Sequence, residues 1–382
     1  MSFSFWEKES FLEGFDVVVA GSGIVGLNIA WSLKIKSPAL KVLVVERGSI
    51  PQGASTRNAG VACFGSISEI LADLESNSEE EVLGLIERRL NGLRKLRENL
   101  GDRNIDYQPL GGFELFFGED EKLFSSCADK ISFLNSRLSP ILGTNDNYIL
   151  ADEKIKSSGF AGVTHCIKNS AEGQLDTGKM MLAVMEKTLR SGVKIMNGTE
   201  IVSIRDGSDH VEISCKNETS IRTGKLILAT NGFTNKLFPL LDVVPARAQV
   251  LLTTPIQDLP VSGAFHFEKG FYYFRNIGDR ILFGGGRNLD FKTEETSEFG
   301  LTEIVQKRLE KILSENILPG KEYEIENRWS GIMAMGNKKH PLIQSLSKNV
   351  FCAVRMSGMG VAIGSLVGEE AADMILNAIE NR

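Results

Sequence analysis

The stretch that most constrains this chain is residues 15–46, which opens on DVVVAGSGIVG and closes on LVVERG. A short apolar run, residues 16–20, feeds into Gly21, Gly23 and Gly26, and the following LNIAWSL has the apolar spacing of a helix packed on a sheet. The three glycines serve different ends: a tight turn, close approach of backbone to a pyrophosphate, and close helix-to-strand packing. The helix that follows presents unpaired N–H groups and the positive end of its dipole. A second apolar run, residues 42–45, ends in Glu46, 20 residues after Gly26. A carboxylate at that offset accepts hydrogen bonds from an adenosine ribose. In a chain with 38 glycines a triad alone says little. Bracketed by two apolar runs and followed by that acid, it predicts a strand-turn-helix-strand unit that binds a dinucleotide.

At 382 residues and 42% hydrophobic content the chain can bury one large core or two modest ones, and two structural domains are expected. The formal net charge of −6 and the lack of a long basic run argue against a nucleic-acid surface and for a small-molecule partner. The basic cluster ERRLNGLRKLR, residues 87–97, lies on a heptad-like apolar pattern and reads as a solvated helix face. MSFSFWEKESFLEGF, at the N-terminus, mixes acids with aromatics and has no continuous apolar stretch. It reads as neither signal peptide nor membrane anchor, but as an arm whose Phe and Trp residues pack on the core. Cys63, Cys127, Cys166, Cys215 and Cys352 are scattered and odd in number, without C-x-x-C pairs, so neither a disulfide framework nor a metal site is expected. A reducing cytoplasm fits that usage. His165, His210, His266 and His340 are dispersed, and each reads as structural or exposed.

Beyond Glu46, GASTRNAG offers small and hydroxylated residues whose backbone N–H groups can approach a planar ligand. Ser78 and Glu81 form a capping box, and Val82, Ile86, Leu93, Leu96 and Leu100 mark an amphipathic helix stopped by Gly101. A β-like run at 113–117 and a helical pattern from 120 to about 138 begin a second domain. A helix opened near Asp176 or Thr177 stops at Gly192, and strands follow to Ala229, where Thr230, Asn231 and Gly232 give a second small-residue turn. No further dinucleotide fingerprint occurs, so a separate NAD(P)H domain is not expected. From 244 to 291 the alternation is that of strands. Within FYYFR, Phe271, Tyr273 and Arg275 share one face and Tyr272 and Phe274 the other; one face lines a pocket, and a one-residue slip exchanges them. A helix is expected from about 297 to 313. The last strand, 350–354, runs into Ser357, Gly358 and Gly360 and then a helix, aiming a second helix N-terminus at a ligand.

With these landmarks in place, the chain resembles the D-amino-acid oxidase superfamily of FAD enzymes, which includes glycine oxidase, sarcosine oxidase and D-amino-acid dehydrogenase. The resemblance rests on the order of DVVVAGSGIVG, VVERG, GASTRNAG, KLILATNGFTNKL, VPARAQV, FYYFR, RILFGGGR, WSGIMAMG, HPLI and RMSGMGVAIGSLVGEEAADMI along nearly the whole length. It implies an α/β chain, α+β overall: a discontinuous Rossmann-like FAD-binding domain (1–83, 150–240 and 325–382) and a smaller mixed-sheet substrate domain (84–149 and 241–324). It also implies a cofactor site. Gly21, Gly23, Ile24, Val25 and Gly26 would meet the pyrophosphate, and Glu46 with Arg47 the ribose side. Ser55, Thr56, Arg57, Asn58, Ala59 and Gly60 would lie along the flavin, with Val202 near the adenine through its backbone. Thr230, Asn231 and Gly232 would lie near the diphosphate, and Arg355, Gly358, Met359, Gly360 and Val361 at the pyrimidine end of the ring, where a helix N-terminus stabilises reduced flavin.

The chain departs from the family where substrate is gripped. Glycine oxidase-like members carry an arginine where Met333 stands, and sarcosine oxidase-like members a lysine where Ala362 stands. Arg355 and Met359 replace a small residue and a histidine. With no cysteine between Cys215 and Cys352, FAD is expected to be non-covalent. The activity implied is oxidation of an amine or amino acid to an imine by hydride transfer to the flavin, with oxygen or another acceptor taking the electrons. Arg57, Arg275 or Arg287 would bind a substrate carboxylate, helped by Tyr272 or Tyr273. The alternatives are oxidation of a 2-hydroxy acid or polyol, and a non-catalytic FAD-binding protein.

Overall fold

The computed structural model describes residues 3–381, and two eight-stranded sheets organise it. The first is ordered Leu342–Ser345, Val350–Val354, Ser220–Leu228, Phe15–Ala20, Val42–Val45, Lys194–Met196, with Val211–Cys215 and Ile201–Asp206 as an antiparallel branch. Phe15–Ala20 runs parallel to both neighbours, so its C-terminal end and theirs open on one edge. Such an edge is where α/β sheets place a ligand. The strands are short apolar runs because both faces are covered. Val17 and Val19 pack under the helices Ile24–Lys36, Glu79–Leu100, Thr177–Arg190 and Gly360–Glu380, while Val18 and Ala20 pack toward the antiparallel branch.

The second sheet is ordered Ile325–Met335, Val244–Thr253, Arg280–Gly285, Tyr272–Ile277, Ala264–Phe267, Gly112–Phe117, Val163–Asn169, Tyr148–Leu150. One face buries Phe265, Phe267, Tyr272, Phe274 and Phe283 against the helix Glu303–Ile312. The other looks toward the first sheet, and there Val250, Leu282, Tyr273 and Trp329 pack on Ala59 and Val61 of the loop that follows Val42–Val45. That contact brings the GASTRNAG loop onto the second sheet.

Several expectations need correction. The segments 150–240 and 325–382, assigned to the nucleotide domain, each contain a strand of the second sheet, Val163–Asn169 and Ile325–Met335. The helix Glu79–Leu100, assigned largely to the substrate domain, packs Leu85, Leu93, Leu96 and Leu100 into the nucleotide core. Apolar periodicity marks a buried face without saying what covers it. Of the N-terminal aromatics only Phe15 packs on the core: Phe3, Phe5, Trp6 and Phe11 are exposed, and Leu12 alone of residues 3–14 is buried. The helix expected from 297 starts only at Glu303, and residues 295–302 form a loop. No helix among the described residues is long and apolar enough to cross a membrane.

Candidate active site

One cavity of about 500 Å³ lies between the sheets, and the glycine turn forms one end of it. Gly21 has a φ of +104°, and a side chain on Gly26 would stand 1.9 Å from the Gly21 carbonyl oxygen. Backbone therefore comes as close as it can. Gly23 caps the helix Ile24–Lys36 in extended conformation, and the Ile24 N–H donates to Ser55 Oγ at 2.9 Å. Glu46 is buried, and its carboxylate accepts from the Ser22 N–H (3.1 Å), the Ser22 hydroxyl (2.8 Å) and the Gly48 N–H (3.0 Å). Three donors fix its direction and leave about one acceptor site, on Oε1, for a ribose hydroxyl.

Gly21, Gly23, Ile24, Val25, Glu46 and Arg47 all line this end, whereas Gly26 lies behind it as a packing residue. Arg47 stacks its guanidinium 3.6 Å over the Phe233 ring. Thr230 and Asn231 line the wall, while Gly232 backs against the Met333 carbonyl. Val202 lies outside the cavity with an exposed side chain; Thr199, Glu200 and Ile201 line it instead.

Ser55, Arg57, Asn58 and Ala59 continue the wall. Thr56 and Gly60 do not: the Thr56 hydroxyl donates to Pro51 O, and the Gly60 carbonyl is held from outside by Arg275. Arg275 is itself outside the cavity, donating to Gly60 O (3.1 Å) and Leu175 O (2.6 Å), and burial pushes its pKa down to about 10. Arg57 spends Nη1 on Ser330 O at 2.9 Å and stacks on Phe299, while its own carbonyl accepts from Trp329 Nε1. Gly358, Met359, Gly360 and Val361 line the opposite wall with Met333. Arg355 lies behind them at φ +65°, paired with Asp242. Its guanidinium is committed to fixing the turn.

A row of paired residues crosses the second sheet, Glu114, His266, Tyr273, Gly284, Val250 and Trp329, and its members His266, Tyr273 and Val250 form the floor of the cavity. The register thus decides which tyrosine meets the cavity. Tyr273 lines it, with its hydroxyl pushed up to about 12 by burial, whereas Tyr272 stacks on Phe267 in the core beneath. Arg287 also lines the cavity, resting against Phe271 and Phe291 without a salt bridge among the described residues.

The far end is built of residues that sequence reasoning passed over: Cys63, Glu69, Arg89, Glu172, His266 and Lys339. Arg89, expected on a solvated helix face, is buried. The signal was present, since 89 lies three residues after Ile86 and four before Leu93 and so falls on the apolar stripe. Lys339 reaches Glu69 at 3.3 Å and Asp73 at 2.6 Å. Glu172 accepts the N–H groups of Phe64 and Gly65, but burial pushes its carboxyl up to about 7. Burial likewise pushes the Cys63 thiol up to about 12 and His266 down to about 4, so both are neutral at pH 7. The described residues include no group of His, Cys, Asp and Glu fit to hold a metal.

The sequence model of the family described as FAD dependent oxidoreductase (DAO) matches residues 16–374. A probable oxidoreductase, OrdL, of Haemophilus influenzae is 21% identical, over 96% of this chain and 84% of its own. The bifunctional protein ThiO/ThiG of Synechocystis is 22% identical over 95% of this chain and 52% of its own. Among solved structures, L-proline dehydrogenase from P. horikoshii superposes with a TM-score of 0.77 at 19% identity, covering 96% of this chain and 94% of that one. Glycine oxidase from Bacillus cereus gives 0.74 at 19%, with 95% of each chain covered. The glycine cradle and the oriented Glu46 fit FAD at the nucleotide end.

Proposed function

This chain belongs to the DAO family of FAD-dependent oxidoreductases, and from that premise we propose that it oxidises the C–N bond of an amine or amino acid to an imine. The observation that carries the reading is the convergence of three elements on one cavity: the GASTRNAG loop, the Gly358–Val361 turn and the Tyr273 row. A substrate there is enclosed by apolar floor residues and shielded from water.

When bound, FAD would supply the two-electron acceptor for a hydride from the carbon beside nitrogen, with the N–H proton lost to solvent and oxygen or another carrier taking up the electrons. The protein's part is placement. Phe271, Tyr273 and Met333 form the apolar contact surface, and the protonated Tyr273 hydroxyl is a donor for a substrate oxygen. Of the three arginines considered for a carboxylate, Arg57 and Arg275 spend donors on backbone carbonyls, which leaves Arg287 able to turn toward substrate. The helix Gly360–Glu380 points its N-terminus at the cavity, where its dipole favours negative charge. Non-covalent attachment of FAD accords with the buried, high-pKa thiol of Cys352.

The test is anaerobic. FAD-loaded protein is mixed with D- and L-amino acids, N-methyl amino acids, simple amines and 2-hydroxy acids, and the oxidised-flavin absorbance is followed. Bleaching by an amine or amino acid is expected. Bleaching by 2-hydroxy acids alone replaces C–N by alcohol oxidation, and a flavin that only dithionite bleaches makes the protein a non-catalytic FAD binder.

A further inference from the structure

Two buried arginines in this protein differ in how they are satisfied. Arg247 makes a two-pronged contact with Glu294, Nε to Oε2 at 2.8 Å and Nη2 to Oε1 at 3.1 Å. That is the usual way a protein retires a guanidinium from water. Arg89 is as deeply buried, with a side chain only 6% exposed, yet among the described residues it donates to no oxygen. Nη1 stands 3.7 Å from Glu69 Oε1, too far for a hydrogen bond; Nη2 meets only the Cys63 thiol sulfur at 3.7 Å; Nε is buried without a partner. A desolvated charge with five donors and no oxygen acceptor is costly unless something else completes it.

Glu69 is the acceptor within reach, but Lys339 holds the same Oε1 at 3.3 Å. Arg89 lines the far end of the cavity with Lys339, and Lys269 and Arg287 also line the walls; the carboxylates facing them are Glu69 and Glu172. His266 Nε2 on the floor row and Glu172 Oε2 are further buried polar atoms of this lining without a partner among the described residues. In a chain of net charge −6, the far end matches Arg89 and Lys339 against Glu69 and Glu172, and Lys269 and Arg287 on the walls add two further cations.

We propose that Arg89 seats an anionic group of the substrate, a carboxylate, at the far end of the cavity, so that the substrate is an amino-containing acid rather than a plain amine. This rests on the reading of the cavity as an amine or amino-acid oxidation site. It moves the acid anchor from the position that Met333 occupies to a helix of the nucleotide layer, Glu79–Leu100. The planar fork suits two carboxylate oxygens, and Lys339 has a third N–H beyond those spent on Glu69 and Asp73. Glu69 then serves as the resting counter-ion that the substrate carboxylate displaces.

The test titrates full-length FAD-loaded protein with acetate, benzoate, benzamide and benzylamine, reading flavin absorbance, none of them needing turnover. Benzoate is expected to perturb the flavin and to bind at least about tenfold more tightly than benzamide or benzylamine. Arg89→Gln is expected to weaken acetate and benzoate by about tenfold or more and to leave benzamide unchanged, with Arg89→Lys intermediate. Glu69→Gln is expected to tighten benzoate several-fold because the competing carboxylate is gone, an effect that a merely structural Arg89 would not produce. FAD affinity is measured in the same preparations by flavin fluorescence. If Arg89→Gln does not load FAD, Arg89→Lys and Glu69→Gln decide the matter. Benzoate bound no better than benzamide, Arg89→Gln binding benzoate like the unaltered protein, or Glu69→Gln failing to tighten it overturns the proposal. Arg89-dependent benzoate binding in a protein whose flavin no amine or amino acid bleaches keeps the anchor and discards C–N oxidation.

Discussion

The two ends of the cavity are made of different materials. At the nucleotide end, recognition comes from backbone: Gly21 and Gly23 open the approach, Gly26 lets the helix sit against the turn, and the carboxylate of Glu46 is locked by three donors within the same unit. At the far end, the lining consists of side chains that converge from distant segments, Glu69, Arg89, Glu172, His266 and Lys339 among them. The first end is nearly complete without a ligand. The second retains unpartnered donors and carboxyls that titrate near neutrality. A backbone site is fixed by covalent spacing and serves one ligand shape, whereas a side-chain site can be retuned one residue at a time.

The largest effect should come from damaging the backbone end. Gly26→Ala puts a methyl group 1.9 Å from the Gly21 carbonyl oxygen, where neither backbone can yield without opening the turn. We expect a loss of about 3 kcal/mol or more in stability and protein purified without FAD, checked by thermal melting and by flavin absorbance. A Gly26→Ala protein that loads FAD normally would break the contrast at its stronger side.

Next is the clamp that ties the second sheet to the end of the GASTRNAG loop. Arg275→Gln strips donors from the carbonyls of Gly60 and Leu175. It should cost about 2 to 3 kcal/mol in urea unfolding and weaken FAD binding without changing which substrates bleach the flavin.

The pH response should belong to the substrate end. Burial raises Glu114 and Glu172 from an ordinary 4.5 to about 7, so between those values the folded state holds protons that the unfolded chain has released. Stability is therefore greatest below about 4.5 on their account and is lost as pH rises through 7. His266, lowered from 6.5 to about 4, acts oppositely, with stability lost as pH falls between those values. Melting temperature is expected to decline from pH 6 to pH 8, a change on the order of 1 to 3 kcal/mol. Glu114→Gln should flatten that decline, and a decline unaltered in Glu114→Gln and Glu172→Gln would sever the pH response from this cluster.

The smallest effect should be at the rim. Arg287 rests on Phe271 and Phe291 at the cavity wall and is partly exposed. Arg287→Ala is expected to lower kcat/KM for an acidic substrate by about three- to tenfold at low salt, with the difference shrinking as salt is added. A deficit that salt does not change would make Arg287 a deep anchor rather than a rim charge.

Much of the nucleotide end was legible in the chain itself. The spacing of Gly21, Gly23, Gly26 and Glu46 is a property of one continuous segment, and apolar runs around it identify strand and helix without help from the rest of the fold. The alternation in FYYFR likewise paired Phe271 with Tyr273, but not the face that meets the cavity; pairing with His266 on one side and Gly284 on the other decided that. Arg275 and Arg355 were legible as residues worth noting, but not in their parts, because their partners, Leu175 and Asp242, lie far along the chain.

The sequence by itself determined the dinucleotide unit, the second small-residue turn and the β-rich character of residues 244–291, because each follows from local spacing and backbone sterics. Tertiary structure alone decided which groups meet Arg89 on its buried stripe, that Lys339 shares Glu69 with it, and that Tyr273 rather than Tyr272 faces the cavity. The reason is physical: a charge's environment is set by what packs against it, and at this end every neighbour arrives from another part of the chain.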